Sequence, residues 1–194
     1  NDTFEDDIVL CSIFLIIAYT LGYYVECEKE HITRLESLVH LDGLTGLYNY
    51  RYLRDILIRQ VDDCTKRGIS LALIIVDIDH FKQYNDLFGH QTGDIVLRQL
   101  ADLLKKEAGS DYIAARYGGA SFALLMPDTD ERCAIEKAEK IRKGFEELHI
   151  EKEEYLPDGK LTVSVGLSVF PAKAANATQL FDNADEALYR AKFL

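Results

Sequence analysis

Positive charge is in short supply in this chain. Its 22 Lys and Arg stand against 33 Asp and Glu, a formal charge of −11 at pH 7. A protein that binds a nucleic-acid backbone needs a basic face, so the balance argues against that class. It leaves room for a nucleotide site, where a few local cations and backbone N–H groups suffice. Cysteine is sparse as well. Cys11, Cys27, Cys64 and Cys133 include no pair at zinc-finger or redox spacing. Free thiols in a reducing compartment are the expectation. The five histidines form no ligand cluster. Internal repeats and low-complexity segments are absent. The one long uncharged run lacks both a preceding basic region and a small-residue cleavage site, which excludes a secretory signal peptide.

That run covers residues 8–25 and carries no charge. At about 1.5 Å per residue it nearly crosses a hydrocarbon core of roughly 30 Å. Tyr19, Tyr23 and Tyr24 crowd one end, where an interfacial aromatic belt would sit. Lys29 and Arg34 follow the run and no Lys or Arg precedes it. The positive-inside bias then puts the rest of the chain in the cytoplasm, on the inner membrane. The alternative is a packing helix in a cytoplasmic protein. Residues 26–41 are charged, with Ile32, Leu35 and Val39 spaced by three and four. That spacing predicts either a dimerising stalk or an amphipathic helix packed on its own domain.

Residues 42–194 read as one globular domain, in a chain that is 48% hydrophobic and 28% charged. Helical spacing predicts a helix over 50–66, stopped by Gly68. Residues 71–76 form a buried strand, and 81–89 a helix and turn. A helix over 92–107 turns Ile95, Val96, Leu100, Leu103 and Leu104 inward. Another, over 130–148, has Ala134, Ala138, Ile141 and Phe145 on one face. Residues 161–170 alternate, with Leu161, Val163, Val165, Leu167 and Val169 on one side, which predicts a half-buried strand. Asp182 caps a last helix. Strands, helices and a hairpin together predict an α+β fold, a sheet with helices packed on it.

Two apolar runs, 113–117 and 121–126, flank Gly118-Gly119. Two adjacent glycines tolerate positive φ and predict a two-residue hairpin loop. Upstream, the strand at 71–76 ends in Asp77-Ile-Asp79-His-Phe-Lys82. A carboxylate at a strand end beside a glycine hairpin suits phosphate and metal. Further ordered pieces are Asp42-Gly-Leu-Thr-Gly-Leu-Tyr-Asn49, Asn85-Asp-Leu-Phe-Gly-His90, Gly93-Asp94, Arg116-Tyr-Gly-Gly119, Val163-Ser-Val-Gly166 and Ala184-Asp-Glu-Ala-Leu-Tyr-Arg-Ala-Lys192. On these pieces the chain resembles the GGDEF domain, the catalytic domain of diguanylate cyclases.

The resemblance implies a palm-like nucleotide-cyclase fold with a mostly antiparallel central sheet, preceded by an N-terminal helix. It implies a reaction in which the 3′-hydroxyl of one GTP attacks the α-phosphorus of another. Asp77 and the carbonyl of Ile78 match the family's Mg²⁺ ligands. Asn85 and Asp94 match its guanine-reading pair: a carboxylate can accept from both guanine donors and an amide adds a contact. Lys82 and Lys192 match its phosphate-binding lysines, and Gly118 and Gly119 its glycine pair. Without the resemblance, Asp77 reads as a strand-end acid capping a turn, and Asn85 and Asp94 as helix caps.

One departure stands out. The two acidic letters after the glycines are Ala120 and Ser121 here, so neither side chain brings a charged ligand or a base. The family's inhibitory product site, an Arg-x-x-Asp quartet, is replaced by Gly109-Ser-Asp-Tyr112. The resulting expectation is a catalytically impaired, GTP-binding regulatory or interaction module with a weakened Mg²⁺ site. Such a module would form a homodimer through the N-terminal helix. The alternatives are an active cyclase with an atypical site and a dimerising scaffold without nucleotide.

Overall fold

A computed structural model describes residues 17, 19–24, 40–156 and 159–193. The chain divides into two units, Asn1–Val39 and His40–Leu194. In the first unit, residues 17 and 19–24 are helical, with Tyr19, Tyr23 and Tyr24 exposed. The rest of the expected helix at 8–25 and all but the end of the stalk at 26–41 lie outside the described residues. Among the described residues no helix is long and apolar enough to cross a membrane.

The second unit is a five-stranded sheet between two layers of helices. The strands are β1 (Tyr48–Asn49), β2 (Leu71–Ile78), β3 (Ile113–Gly118), β4 (Ser121–Pro127) and β5 (Val163–Phe170). Their order across the sheet is β1-β3-β4-β2-β5. Only the β1–β3 pair is parallel. The helices are α1 (Tyr50–Arg67), α2 (Phe81–Phe88), α3 (His90–Ala108), α4 (Glu131–Glu146) and α5 (Ala177–Ala191). This is the α+β architecture the sequence predicts.

Strand β2 lies inside the sheet, between β4 and the edge strand β5, and is covered on both faces. Its residues from Leu71 to Val76 are fully buried, which explains an unbroken apolar run rather than alternation. On one face Ala72, Ile74 and Val76 join Phe122 and Leu124 against Tyr84 of α2, Val96, Leu100 and Leu104 of α3, and Ile141 and Phe145 of α4. On the other face Leu71, Leu73 and Ile75 join Ala123 and Leu125 against Leu53 and Leu57 of α1 and Leu180, Ala184 and Leu188 of α5.

Local chemistry sets the helix ends. The Tyr52 N–H donates to Asn49 Oδ1 at 3.0 Å and starts α1. Gly68, at φ 66°, ends it as a left-handed cap. Asp130 caps α4 by accepting from the Cys133 N–H at 2.8 Å. The last helix begins earlier than expected. Asn176, not Asp182, caps α5, accepting from the Gln179 N–H at 2.9 Å, and Asp182 lies within the helix. Helix α3 starts at His90, and its inward face is Val96, Leu97, Leu100, Ala101 and Leu104. Ile95, expected inward, is exposed, because the buried stripe runs one residue further round the helix.

Strand β5 also departs from expectation. Val163 and Val169 are buried, but so are Gly166, Ser168 and Phe170 on the opposite face. The small residues there face α5 rather than water. A Cβ on Gly166 would come 2.2 Å from the Leu188 amide nitrogen and 2.3 Å from the Ala184 carbonyl oxygen. Helix backbone lies directly on strand backbone at this glycine. Gly166→Ala should therefore destabilise the domain by about 1–3 kcal/mol through overpacking. Urea unfolding of the two proteins measures this, and an unchanged midpoint would show that α5 is not seated here.

Candidate functional site

The site forms where β2 ends, β4 begins and α5 finishes. Side chains alternate along β2, so Asp77 falls on the same face as Leu71, Leu73 and Ile75, the face covered by α1 and α5. In the antiparallel register Asp77 stands opposite Ser121 of β4 and Ser164 of β5. The Ser121 hydroxyl donates to Asp77 Oδ2. The Lys192 ammonium, just past the last turn of α5, sits 2.6 Å from Asp77 Oδ1. Both carboxylate oxygens of Asp77 thus have a donor. Asp79, two residues on, accepts from Thr162 Oγ1 and Ser164 Oγ, both at 2.7 Å. Its N–H donates to the Thr162 carbonyl at 2.9 Å. Asp79 therefore ties the end of β2 to the start of β5.

The hairpin tip differs by one residue from the expected loop. The strands pair Arg116 with Phe122 and Gly118 with Ser121, leaving Tyr117 as an extra residue. This bulge shifts the turn from Gly118-Gly119 to Gly119-Ala120. Only Gly119 of the two glycines has positive φ, at 45°. Arg116 holds the tip from below. Its Nε and Nη2 donate to the Gly119 carbonyl at 3.1 and 2.7 Å, and its Nη1 pairs with Asp42 at 3.2 Å. Asp42 in turn accepts from the Thr45 N–H and hydroxyl at 2.9 and 2.6 Å. Arg116 and Asp42 both stood in the sequence motifs, but nothing local to either revealed that they pair across the fold.

No base is available at the tip. Ala120 offers a methyl group, and the Ser121 hydroxyl is committed to Asp77. Burial pushes the Tyr117 phenol up to about 12, a hydrogen bond with Ser121 opposes this, and the charges of Asp185 and Asp77 add to the rise. It stays protonated at neutral pH.

Asn85 and Asp94, which the resemblance assigns to base reading, lie on α2 and α3, on the opposite face. A Cβ at Gly93 would fall 1.8 Å from Asn85 Oδ1, so that glycine makes room for the amide. Asp94 follows immediately, half-buried. Asn85 of α2 thus packs against Gly93 of α3, the residue before Asp94. Asn85 Oδ1 is buried against α3 without a hydrogen-bond partner among the described residues. Lys82 is exposed on the first turn of α2. Beside Lys192 a cleft of about 560 Å³ is lined by Asp79, His80, Lys160, Thr162 and Ser164. That is room for a nucleotide-sized group.

The donor set does not suit a protein-held divalent cation. Mg²⁺ is usually bound through one or two carboxylates plus phosphates. Here the one carboxylate already carries an ammonium and a hydroxyl, and Asp79 is consumed by two others. No cluster of three His, Cys, Asp or Glu able to hold a metal occurs among the described residues.

Comparison with known proteins places this geometry. The family model described as "Diguanylate cyclase, GGDEF domain" matches residues 39–193. "Probable diguanylate cyclase DgcC" of Escherichia coli is 35% identical over 191 residues, covering 93% of this chain and 50% of its own length. The response regulator PleD of Caulobacter vibrioides is 33% identical over 174 residues, covering 87% and 37%. The chain spans a third to a half of the length of these relatives. Among solved structures, the coiled coil and GGDEF domain of DgcB from Caulobacter crescentus, in complex with c-di-GMP, matches at TM-score 0.74 and 34% identity, over 89% of this chain and 90% of that one. Diguanylate cyclase SiaD of Pseudomonas aeruginosa, in complex with its activator SiaC, matches at 0.72 and 30%, over 91% and 67%. The chain belongs to the GGDEF domain family.

The Asp42 network makes a pH-dependent contribution. Burial raises the Asp42 carboxyl, but the Thr45 hydrogen bonds and then Arg116 outweigh this and hold it below its ordinary 3.8. A carboxyl lowered on folding adds stability above its unfolded value and loses it as pH falls through the folded one. Asp42→Asn should cost about 1–2 kcal/mol at pH 7. It should also flatten the loss of stability below about pH 4. Denaturant titrations at pH 7 and pH 3 measure both effects.

Proposed function

We propose that this chain is a GTP-binding regulatory or interaction module of cyclic-di-GMP-type signalling whose cyclase chemistry is impaired. The observation that carries the reading is the hairpin tip, where Ala120 and Ser121 stand and the Ser121 hydroxyl is spent on Asp77. A general base alone is worth about 10²–10⁴-fold in rate. Removing it together with the charged ligand leaves orientation as the chief remaining contribution. Ligand binding rests on other residues. Asn85 and Asp94 would accept guanine's donors, a role the family motif supports. Lys192 lines the 560 Å³ cleft, where it would meet phosphates, and the family motif supports the same role for Lys82.

Two further elements of the reading rest on the sequence. The uncharged run at residues 8–25 supports attachment to the cytoplasmic membrane. The coiled coil solved together with the GGDEF domain of DgcB supports a dimerising stalk at residues 26–41. The second reading, an active diguanylate cyclase with an atypical site, is favoured by relatives that bear that name at 35% identity.

Calorimetry with GTP and ATP, followed by chromatography of the incubated mixture, separates these readings. The expected result is binding of GTP in preference to ATP, because a site built to hydrogen-bond its ligand rejects one lacking the donors. Asp94→Ala should weaken GTP binding by about 1–3 kcal/mol. Little or no cyclic di-GMP should form. Robust product promotes the second reading. Equal affinity for GTP and ATP, or binding of neither, leaves a dimerising scaffold.

A further inference from the structure

We infer that the Lys192 ammonium stands in for a divalent cation at Asp77, so that this site closes without metal. Four observations carry this. Lys192 Nζ lies 2.6 Å from Asp77 Oδ1, contact distance for a charge-assisted hydrogen bond. The remaining oxygen, Oδ2, accepts from Ser121. Position 120, at the turn of the hairpin, offers only a methyl group, and the neighbouring carboxylate of Asp79 is bound by Thr162 and Ser164. Finally, Lys192 does not arrive at Asp77 through a floppy segment. Its N–H donates to the Leu188 carbonyl at 3.1 Å, and Leu188 is the residue whose backbone rests on Gly166. The seat of α5 on β5 therefore aims the lysine.

The charge count follows. The Asp77 carboxylate and the Lys192 ammonium sum to zero, so the pair itself offers a doubly charged ion no net attraction, and both oxygens of the neighbouring Asp79 carboxylate are taken by hydroxyls. An ion entering at Oδ1 would have to displace an ammonium already in contact there, against the repulsion of like charges. A carboxylate that is only 14% exposed is a poor place to leave unpaired, which gives the lysine a structural reason to stay. A nucleotide reaching this cleft is then met by fixed protein cations and N–H groups. Any metal it carries stays on its own phosphates.

The test uses the full chain and does not depend on the GTP reading, since its first readout involves no nucleotide. Thermal midpoints are measured in EDTA and in millimolar Mn²⁺ for the wild type, Lys192→Met and Lys192→Gln, each beside its Asp77→Asn counterpart. The counterparts subtract general effects of Mn²⁺ on an acidic protein. The expected result is a wild type that responds no more than Asp77→Asn, and Lys192 variants whose midpoints rise by several degrees only when Asp77 is intact. A wild type that responds through Asp77 overturns the inference. So do Lys192 variants that fail to respond, because the lysine would not then be what excludes the ion. In the second readout, GTP dissociation constants in EDTA and in Mg²⁺ should agree within about threefold. A larger gain from Mg²⁺ that Asp77→Asn abolishes also overturns it. Absence of GTP binding would refute the functional reading while leaving the Mn²⁺ comparison to decide this one.

Discussion

The close approach of α5 to β5 at Gly166 is the constraint on which the site depends. With no Cβ there, helix backbone can lie on strand backbone. Leu180, Ala184 and Leu188 then reach Leu71, Leu73 and Ile75 of the central strand and close one face of the core. The same contact fixes where α5 ends. Its last turn stops over the end of β2, and Lys192 meets Asp77, 115 residues away in sequence. A larger residue at position 166 would lift the helix and move the lysine with it. Core packing and site electrostatics are thus two consequences of one missing methyl group.

The hairpin tip is secured differently. Arg116 grips the Gly119 carbonyl and Asp42, so the turn is held through main chain and a partly buried ion pair. The side chains at 120 and 121 contribute little to that hold. Ala120 packs partly against the core and Ser121 simply keeps its place in the ladder. Acids at these positions would crowd like charges around Asp77 and would need a cation to relieve them. Alanine and serine remove the repulsion, and the lysine and hydroxyl neutralise and satisfy what remains. The fold therefore tolerates the exchange of chemistry at the tip without rearranging.

Much of the fold was legible because its signals are local. Helical spacing located α1, α3 and α4 to within a few residues, and glycine at 68 marked the end of α1 through its left-handed φ. The uninterrupted apolar run of β2 announced a strand buried on both faces. Other features had no local signal. The two-residue β1 exists because β3 offers it a parallel partner. The bulge at Tyr117 moved the turn by one residue, which a glycine pair could not specify. The small residues of β5 read as a solvent face because a strand's periodicity cannot distinguish water from a tightly seated helix. Asn85 and Asp94 were singled out through the family motif, and Gly93 is what lets the Asn85 amide pack onto α3. The Asp77–Lys192 pair was missed. Each residue had been assigned a ligand of its own, and only the tertiary fold shows that they take each other.

The two groups of residues singled out by the motifs sit on different faces of the sheet, and this separation lets one change without disturbing the other. Asn85, Gly93 and Asp94 belong to α2 and α3, whose packing runs through Tyr84, Val96 and Leu100. Asp77, Ser121 and Lys192 belong to the face held by α1 and α5. Few contacts couple the two layers except through the sheet itself. The side chain at 121 therefore bears on the face held by α1 and α5, while the contact of Asn85 with Gly93 is set by how α2 packs on α3. Position 121 and the residues between α2 and α3 can change independently, because the sheet separates them.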